Sequence, residues 1–285
     1  MNKIKLAASL LPMLPVLATA SIAAAQSINY DALEQMFNEP VTTSATGSPQ
    51  RSTEAPVSME IISASDIERS GATDIPTILS RVAGIDVLTW GAGGASDVGV
   101  RGYATPYSPR LLVLINGRQV YLDHYGYTAW STLPVQLSEI RQIEVIKGPN
   151  SALFGFNAVS GVVNIITYSP KYDSANAAEV TGGSGSFGEA SLVTTLKLTD
   201  AISTRISGGA STEKQWKNDG QVDPHFMIDP YKMSANVDTV AQLAPNTELR
   251  VEASWSNVGQ TDVLPTYSYS RTKYLTNSIN GALNS

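Results

Sequence analysis

Ile143-Glu144-Val145-Ile146-Lys147-Gly148-Pro149-Asn150-Ser151-Ala152-Leu153-Phe154-Gly155 is the stretch on which the reading of this chain turns. It opens in strand pattern, since Ile143 to Ile146 is short and rich in β-branched residues that suit a pleated, packed surface. Three upstream segments read the same way, at 85–88, 98–101 and 111–115. Asn116-Gly117 follows the last of these and signals a hairpin, because both residue types tolerate positive φ. Further back lie another strand candidate, 57–63, and two helices. Ser65-Asp66-Ile67-Glu68 has the spacing of a capping box, and Gly71 stops that helix. Asp74 is the N-cap of the next, with Pro76 in its first turn, Ile75, Ile78, Leu79 and Val82 on one face, and Gly84 at its end. Residues 57–167 therefore read as one compact domain of mixed α and β elements.

Beyond Pro170 the pattern changes to segments of about ten residues that alternate apolar and polar. In the clearest, Met233, Ala235, Val237, Thr239, Ala241 and Leu243 share one face, and Lys232, Ser234, Asn236, Asp238 and Gln242 the other. Leu249, Val251, Ala253 and Trp255 alternate in the same way with Arg250, Glu252, Ser254 and Ser256. Six strands are expected, near 177–184, 189–198, 202–212, 232–243, 248–258 and 272–283. Narrow turns fall at 199–200 and 244–247, and longer connections at 213–231 and 259–271. Short turns on one side and longer loops on the other are the habit of a transmembrane β-barrel. A soluble sandwich also alternates, but its buried face would be larger and more aliphatic.

The first 25 residues have the form of an export signal. Lys3 and Lys5 make a positive start, an apolar run extends from Leu6 to Ala18, and Ala23-Ala24-Ala25 supplies a cleavage site before Gln26. The run is short and broken by Pro12 and Pro15, which argues against a membrane anchor. Residues 26–56 read as a flexible arm. Within it Glu39, Pro40, Val41, Thr42, Thr43, Ser44 and Ala45 are extended in character, and Gly47-Ser48-Pro49 reads as a linker. The net charge of −6 excludes a general nucleic-acid binder, which would carry a basic stripe. The chain has no cysteine and hence neither a disulfide nor a thiolate metal site.

In order and spacing, Val100-Arg101-Gly102, Leu112-Val113-Leu114-Ile115-Asn116-Gly117, the opening stretch and Gly161-Val162-Val163-Asn164-Ile165-Ile166-Thr167 resemble the plug domain of TonB-dependent outer-membrane receptors. The resemblance runs from about residue 39 to 167. Small departures are Ala83-Gly84 for Pro-Gly, Asn116 for Asp, and Lys147 for Arg, the last keeping the charge but losing a bidentate donor. It implies an α+β plug domain (57–168) with a small mixed sheet, followed at 176–285 by antiparallel strands of an incomplete transmembrane β-barrel. Family barrels have about 22 strands, and even the smallest need about eight. Six strands cannot close one, so the chain reads as a truncated product, a fragment or a partial gene model of a longer receptor.

The same resemblance implies the functional residues. Glu39 to Ala45 occupy the place of the TonB box, an extended segment that a periplasmic partner captures by adding a strand; taken alone, the segment would be an ordinary linker. Arg101 and Lys147 are plug cations facing barrel-wall carboxylates, with solvated surface charges as the plain alternative. Trp90, Tyr103, Thr105, Tyr107, Ser108, His124, Tyr125 and Tyr127 fall in outward loops, where aromatic rings with polar tips suit an amphipathic ligand. The expected partners are TonB with its inner-membrane energising complex, outer-membrane lipid, and a scarce extracellular ligand such as a metal chelate: an iron-siderophore, haem or cobalamin complex. The alternative is a passive or structural outer-membrane β-protein that binds without energised import. No catalytic set, resident cofactor, intrinsic metal site or nucleic-acid partner is expected. Gly183-Ser184-Gly185-Ser186-Phe187-Gly188 fits a dinucleotide fingerprint, but strand pattern continues on both sides, so a hairpin turn is expected there. His124 and His225 are the only histidines.

Overall fold

The computed structural model describes residues 27–284 apart from 94, 103–106, 108–109, 122–125, 156, 217–222, 265 and 267. The expected export signal, and Tyr103, Thr105, Ser108, His124 and Tyr125, lie outside the described residues.

Helix α1 (Tyr30–Phe37) is capped by Asn29, whose side chain accepts from the Ala32 amide, and stops at Asn38 in the left-handed region. Strands β1 (Val41–Thr42) and β2 (Gln50–Arg51) then pair antiparallel. The plug begins with β3 (Met59–Ser63), α2 (Ala64–Ser70) and α3 (Ile75–Leu79). A paired ribbon follows, β4 (Ile85–Thr89) with β5 (Ser96–Val100), then β6 (Leu111–Ile115) and β7 (Arg118–Gln119). Next come β8 (Ile140–Lys147), α4 (Ser151–Phe154) and β9 (Gly161–Thr167). The plug sheet runs β3-β8-β9-β6-β7, with β6 and β9 parallel and the other pairs antiparallel. It is the small mixed sheet the sequence implied. Asn116 and Gly117, at φ 51 and 78, turn β6 into β7 as the residue pair predicts.

One expectation is corrected at the start of α2. The capping box is Ser63 with Asp66, not Ser65 with Glu68: the Asp66 amide donates to the Ser63 hydroxyl, and the Ser63 amide to the Asp66 carboxylate at 3.0 Å. Both pairs have the same spacing; the earlier one wins because Ser63 is still extended at the end of β3. Asp74 caps α3 as expected, accepting from the Thr77 amide at 2.7 Å.

One face of the plug sheet is covered by helices. Ile143 and Val145 of β8, Val163 and Ile165 of β9 and Val113 of β6 pack there with Ile67, Ile75, Ile78 and Leu79. The opposite face is half apolar, with Leu112, Leu114, Ile146 and Val162, and half polar, with Gln142, Glu144 and Asn164. Period-two alternation along β8 and β9 explains both faces.

Six antiparallel strands follow in sequence order as one sheet: β10 (Ala177–Gly182), β11 (Gly188–Lys197), β12 (Ile202–Thr212), β13 (Tyr231–Ala244), β14 (Thr247–Val263) and β15 (Tyr269–Asn284). They form an open wall against which the plug sits. Its polarity is the reverse of a soluble sheet. Val180 and Ile279 are 88 % and 83 % exposed, with Leu192, Met233, Val237, Leu275 and Leu283 on the same outer side, whereas Arg205 and Asp238 are 1 % and 0 % exposed on the inner side. Apolar out and polar in is the arrangement that a lipid bilayer selects. The Gly183 to Gly188 stretch is a hairpin turn, as expected. The expected long connection at 259–271 is corrected: β14 and β15 remain paired up to Val263 and Tyr269, with Gln260 and Asp262 buried on the plug side and Thr261 on the other face, its hydroxyl accepting from the Ile228 amide at 3.0 Å.

Candidate functional site

On the side of the short turns, the segment read as part of a flexible arm is docked. Val41 and Thr42 are fully buried, and Ser44 and Ala45 nearly so. The polar residues of β8 and β9 hold them. The Thr42 hydroxyl donates to Glu144 Oε2 at 2.9 Å, and the Ser44 amide donates to the same oxygen at 3.1 Å. Gln142 Nε2 donates to the Val41 carbonyl at 2.9 Å, and Asn164 Nδ2 to the Ser44 hydroxyl at 2.8 Å. Glu144 also accepts from Gln142 Nε2 at 2.7 Å. Burial pushes the Glu144 carboxyl above the usual carboxylate range, against the lowering effect of its donors Ser44, Thr42 and Gln142. Only two residues of the segment are laddered, to β2; most of its hold is by side chains. Glu39 stands 3.5 Å from the Arg51 guanidinium and accepts from the Thr53 hydroxyl.

Between plug and wall lies a chain of buried charges. Arg205 of β12 stands 3.1 Å from Glu139, which precedes β8, and 3.4 Å from Asp238 of β13. Its guanidinium also donates to the Tyr168 carbonyl at the end of the plug. Asp238 accepts two bonds from Arg250 at 3.0 and 2.7 Å, and Arg250 reaches Glu252 at 3.0 Å. Glu252 in turn accepts from Asn116 Nδ2 at the plug hairpin, with Arg118 3.8 Å away. Burial raises the Glu139 carboxyl, and Arg205 opposes the rise. Uncharged contacts complete the fit: Gln136 Nε2 donates to the Ser234 hydroxyl, and the Gln136 side chain occupies the space that a Cβ on Gly209 would need. The two cations read from the sequence take no part in this chain of charges among the described residues. Lys147 pairs within the plug, with Glu60 at 3.3 Å and the Ala83 carbonyl at 3.2 Å. Arg101 is exposed and, among the described residues, makes no ion pair.

On the long-loop side, Trp90, Tyr107 and Tyr127 do come together, lining one cleft with Asp97, Gln260 and Asp262. The rings of Tyr107 and Tyr127 are 4.2 Å apart, and the Trp90 indole N–H donates to Asp97 at 2.5 Å. Tyr127 is buried against the wall, its hydroxyl 2.8 Å from that of Tyr274, which donates to Asp262. Burial raises the Asp97 carboxyl, and nearby Asp262 adds to the effect. Gly93 is tied to the wall connection through its amide, which donates to Glu213 at 3.1 Å. Sequence reasoning missed Gln142, Glu144, Asn164, Glu139, Arg205 and Asp238. Gln142, Glu144 and Asn164 were marked as polar residues within strand pattern with buried neighbours on both sides, whereas Arg205 and Asp238 alternate with the exposed Ile206 and Val237 and carried no such mark.

A plug seated against an open β-wall with an apolar exterior is the architecture of plugged outer-membrane β-barrel proteins. Residues 51–162 match the family model of the TonB-dependent Receptor Plug Domain. Over 149 residues the chain is 38% identical to the vitamin B12 transporter BtuB of Photobacterium profundum, covering 52% of this chain and 23% of that protein. Over 230 residues it is 29% identical to the iron-regulated outer membrane virulence protein of Vibrio cholerae, covering 77% and 34%. Among solved structures, Pseudomonas aeruginosa FpvA bound to a heterologous pyoverdine superposes with a TM-score of 0.67 at 18% identity, over 86% of this chain and 34% of that one. The alcaligin receptor FauA of Bordetella pertussis gives 0.62 at 18%, over 85% and 38%. At those identities the structural likeness speaks to the fold. Residues 51–162 thus carry the plug domain of TonB-dependent receptors, and the chain as a whole is similar to such receptors, with a plug and six strands of wall. It spans roughly a quarter to a third of the length of the curated relatives it matches.

Proposed function

We propose that the receptor to which this chain belongs imports a scarce extracellular ligand, and that residues 39–45 are the handle by which TonB couples that import to the inner-membrane proton gradient. The observation that carries this reading is the docking of the segment on the short-turn side by side-chain hydrogen bonds, with only Val41 and Thr42 in a ladder. A partner strand offering a full set of main-chain bonds competes against little. The ligand enters from the opposite side, over Trp90, Tyr107 and Tyr127 and the neighbouring Tyr103, Thr105, Ser108, His124 and Tyr125. The three outward plug stretches, 89–96, 103–109 and 121–127, contain no Lys or Arg. The plug's share of the ligand face therefore favours a neutral or cationic chelate over a polyanionic one. Relatives named for vitamin B12 and for pyoverdine-iron complexes support the class of scarce metal chelates. Arg101 and Lys147 remain candidates for wall carboxylates on strands outside this chain, and the apolar outer belt meets lipid.

The test replaces Val41 with Pro in the full-length receptor. Cells are supplied with radiolabelled vitamin B12 and with iron-loaded hydroxamate and catecholate siderophores, and the probe that accumulates in a receptor-dependent way is followed. Proline removes a main-chain donor and restricts the preceding residue, so accumulation should fall to the receptor-less level while surface binding stays. Undiminished accumulation would place coupling elsewhere or make the protein a passive binder.

A further inference from the structure

Strand β8 grips the arm twice. Glu144 and Gln142 hold residues 41–44, as described, and Arg141 holds helix α1. The pairing of β8 with β9 skips at this point, Ile140 facing Thr167 and Gln142 facing Ile166. Arg141 is thus the extra residue of a bulge. By alternation with Ile143 and Val145 its side chain would enter the apolar core; a bulge re-aims it. Arg141 Nη2 lies 2.7 Å from Asp31 and 2.9 Å from Glu34 of α1, and Nη1 is 3.7 Å from Asp173 beyond the plug. The guanidinium also sits 5.4 Å from the centre of the Tyr30 ring.

Helix and segment form one unit. The Tyr30 and Thr43 hydroxyls are 3.1 Å apart, and Tyr30, Val41 and Ile166 make a single buried cluster flanked by Ile28, Leu33 and Phe37. That cluster is small beside the main plug core, and small satellite clusters open before the domain they sit on. Val41 cannot leave it without uncovering Tyr30, and Tyr30 lies under the guanidinium.

We propose that Arg141 is a positioning residue of a clasp: by fastening helix α1 it sets how readily residues 39–45 leave the plug. The inference rests on the reading of residues 39–45 as the coupling segment, but its test does not depend on any partner. In the full-length receptor, Cys is placed at Ala45, buried in the docked segment, or at Ala158, buried in the plug. Labelling by a membrane-impermeant maleimide is measured over the parent's background. Asp31→Asn with Glu34→Gln, both substitutions on partly or fully exposed residues, should accelerate labelling at position 45 by roughly 3- to 10-fold, as expected for losing two ion pairs to one shielded guanidinium. Labelling at position 158 should not change. Arg141→Gln should act in the same direction, and Arg141→Lys should restore part of the protection. Unchanged labelling at 45 overturns the clasp, as does equal acceleration at 45 and 158, which would mean general loosening. Failure of the Val41→Pro test with accelerated labelling here would overturn the coupling reading and leave the clasp standing.

Discussion

Arg205 offers the sharpest energetic test of how plug and wall are joined. Its guanidinium is 1 % exposed and stands between Glu139 on the plug and Asp238 on the wall. Two unit charges 3.1 Å apart attract by about 5 kcal/mol at an effective dielectric of about 20. Desolvation offsets much of that gain, so the net worth of the pair is small. Removing one partner is another matter, because it leaves the other buried and uncompensated, at about 3–5 kcal/mol. Arg205→Met should therefore destabilise the plug strongly, stranding Glu139 and leaving the Tyr168 carbonyl without its donor. Asp238 suffers less, since Arg250 still donates to it at 3.0 and 2.7 Å. Adding Glu139→Gln removes the stranded charge and should return a large part of the loss. The assay is urea unfolding of the plug in the detergent-solubilised full-length receptor, followed by tryptophan fluorescence. With a slope of about 2 kcal/mol per molar, the single variant should lower the midpoint by about 1.5–2.5 M. A double variant no more stable than the single one would refute the assignment of this pair as the plug–wall tie.

Burial raises the Glu144 carboxyl, so its folded pKa lies above the unfolded value of 4.5. The folded state then holds this proton more tightly, and the contribution of Glu144 to stability is most favourable near and below pH 4.5, declining as pH rises through the folded pKa. Glu139 acts in the same sense, so Glu144→Gln should flatten the pH dependence of the urea midpoint in that range without abolishing it. An unaltered slope would show that Glu144 does not titrate in the folded plug. On the outer face of β13, Val237→Lys should cost about 2–4 kcal/mol if this position lies near the bilayer midplane. Folding into lipid vesicles measures it, and no loss would argue against a lipid-facing strand.

The alternating strands of the wall were legible because lipid and plug impose opposite polarities on successive residues, and the pattern at 232–243 shows this without any tertiary information. The hairpin at Asn116 and Gly117 was legible because backbone conformation is written in those two residue types. The docked state of the arm was not. Its bonds pair Thr42 and Ser44 with Glu144 and Asn164, residues about a hundred or more positions away, and nothing local distinguishes that segment from a linker. Lys147 illustrates the other limit. Resemblance supplied its charge and its strand, but Glu60 on the neighbouring strand β3 is its partner here, a matter of cross-strand register. Glu139 and Arg205 were hidden for a similar reason, since only docking the wall on the plug brings them together.

The most direct test of the central claim is capture of the detergent-solubilised full-length receptor by an immobilised periplasmic domain of TonB, comparing the parent with Val41→Pro and with Thr53→Pro. Position 53 lies outside the segment, in a 3-10 turn where the Ser52 amide donates to the Pro40 carbonyl and the Thr53 hydroxyl to Glu39, so this control loosens the docking without removing a donor from the strand itself. The account predicts that the parent and Thr53→Pro are retained and that Val41→Pro is not, because only the first substitution removes a donor from the strand the partner adds to. Equal retention of all three would contradict the assignment of residues 39–45 as the point where energy enters this receptor.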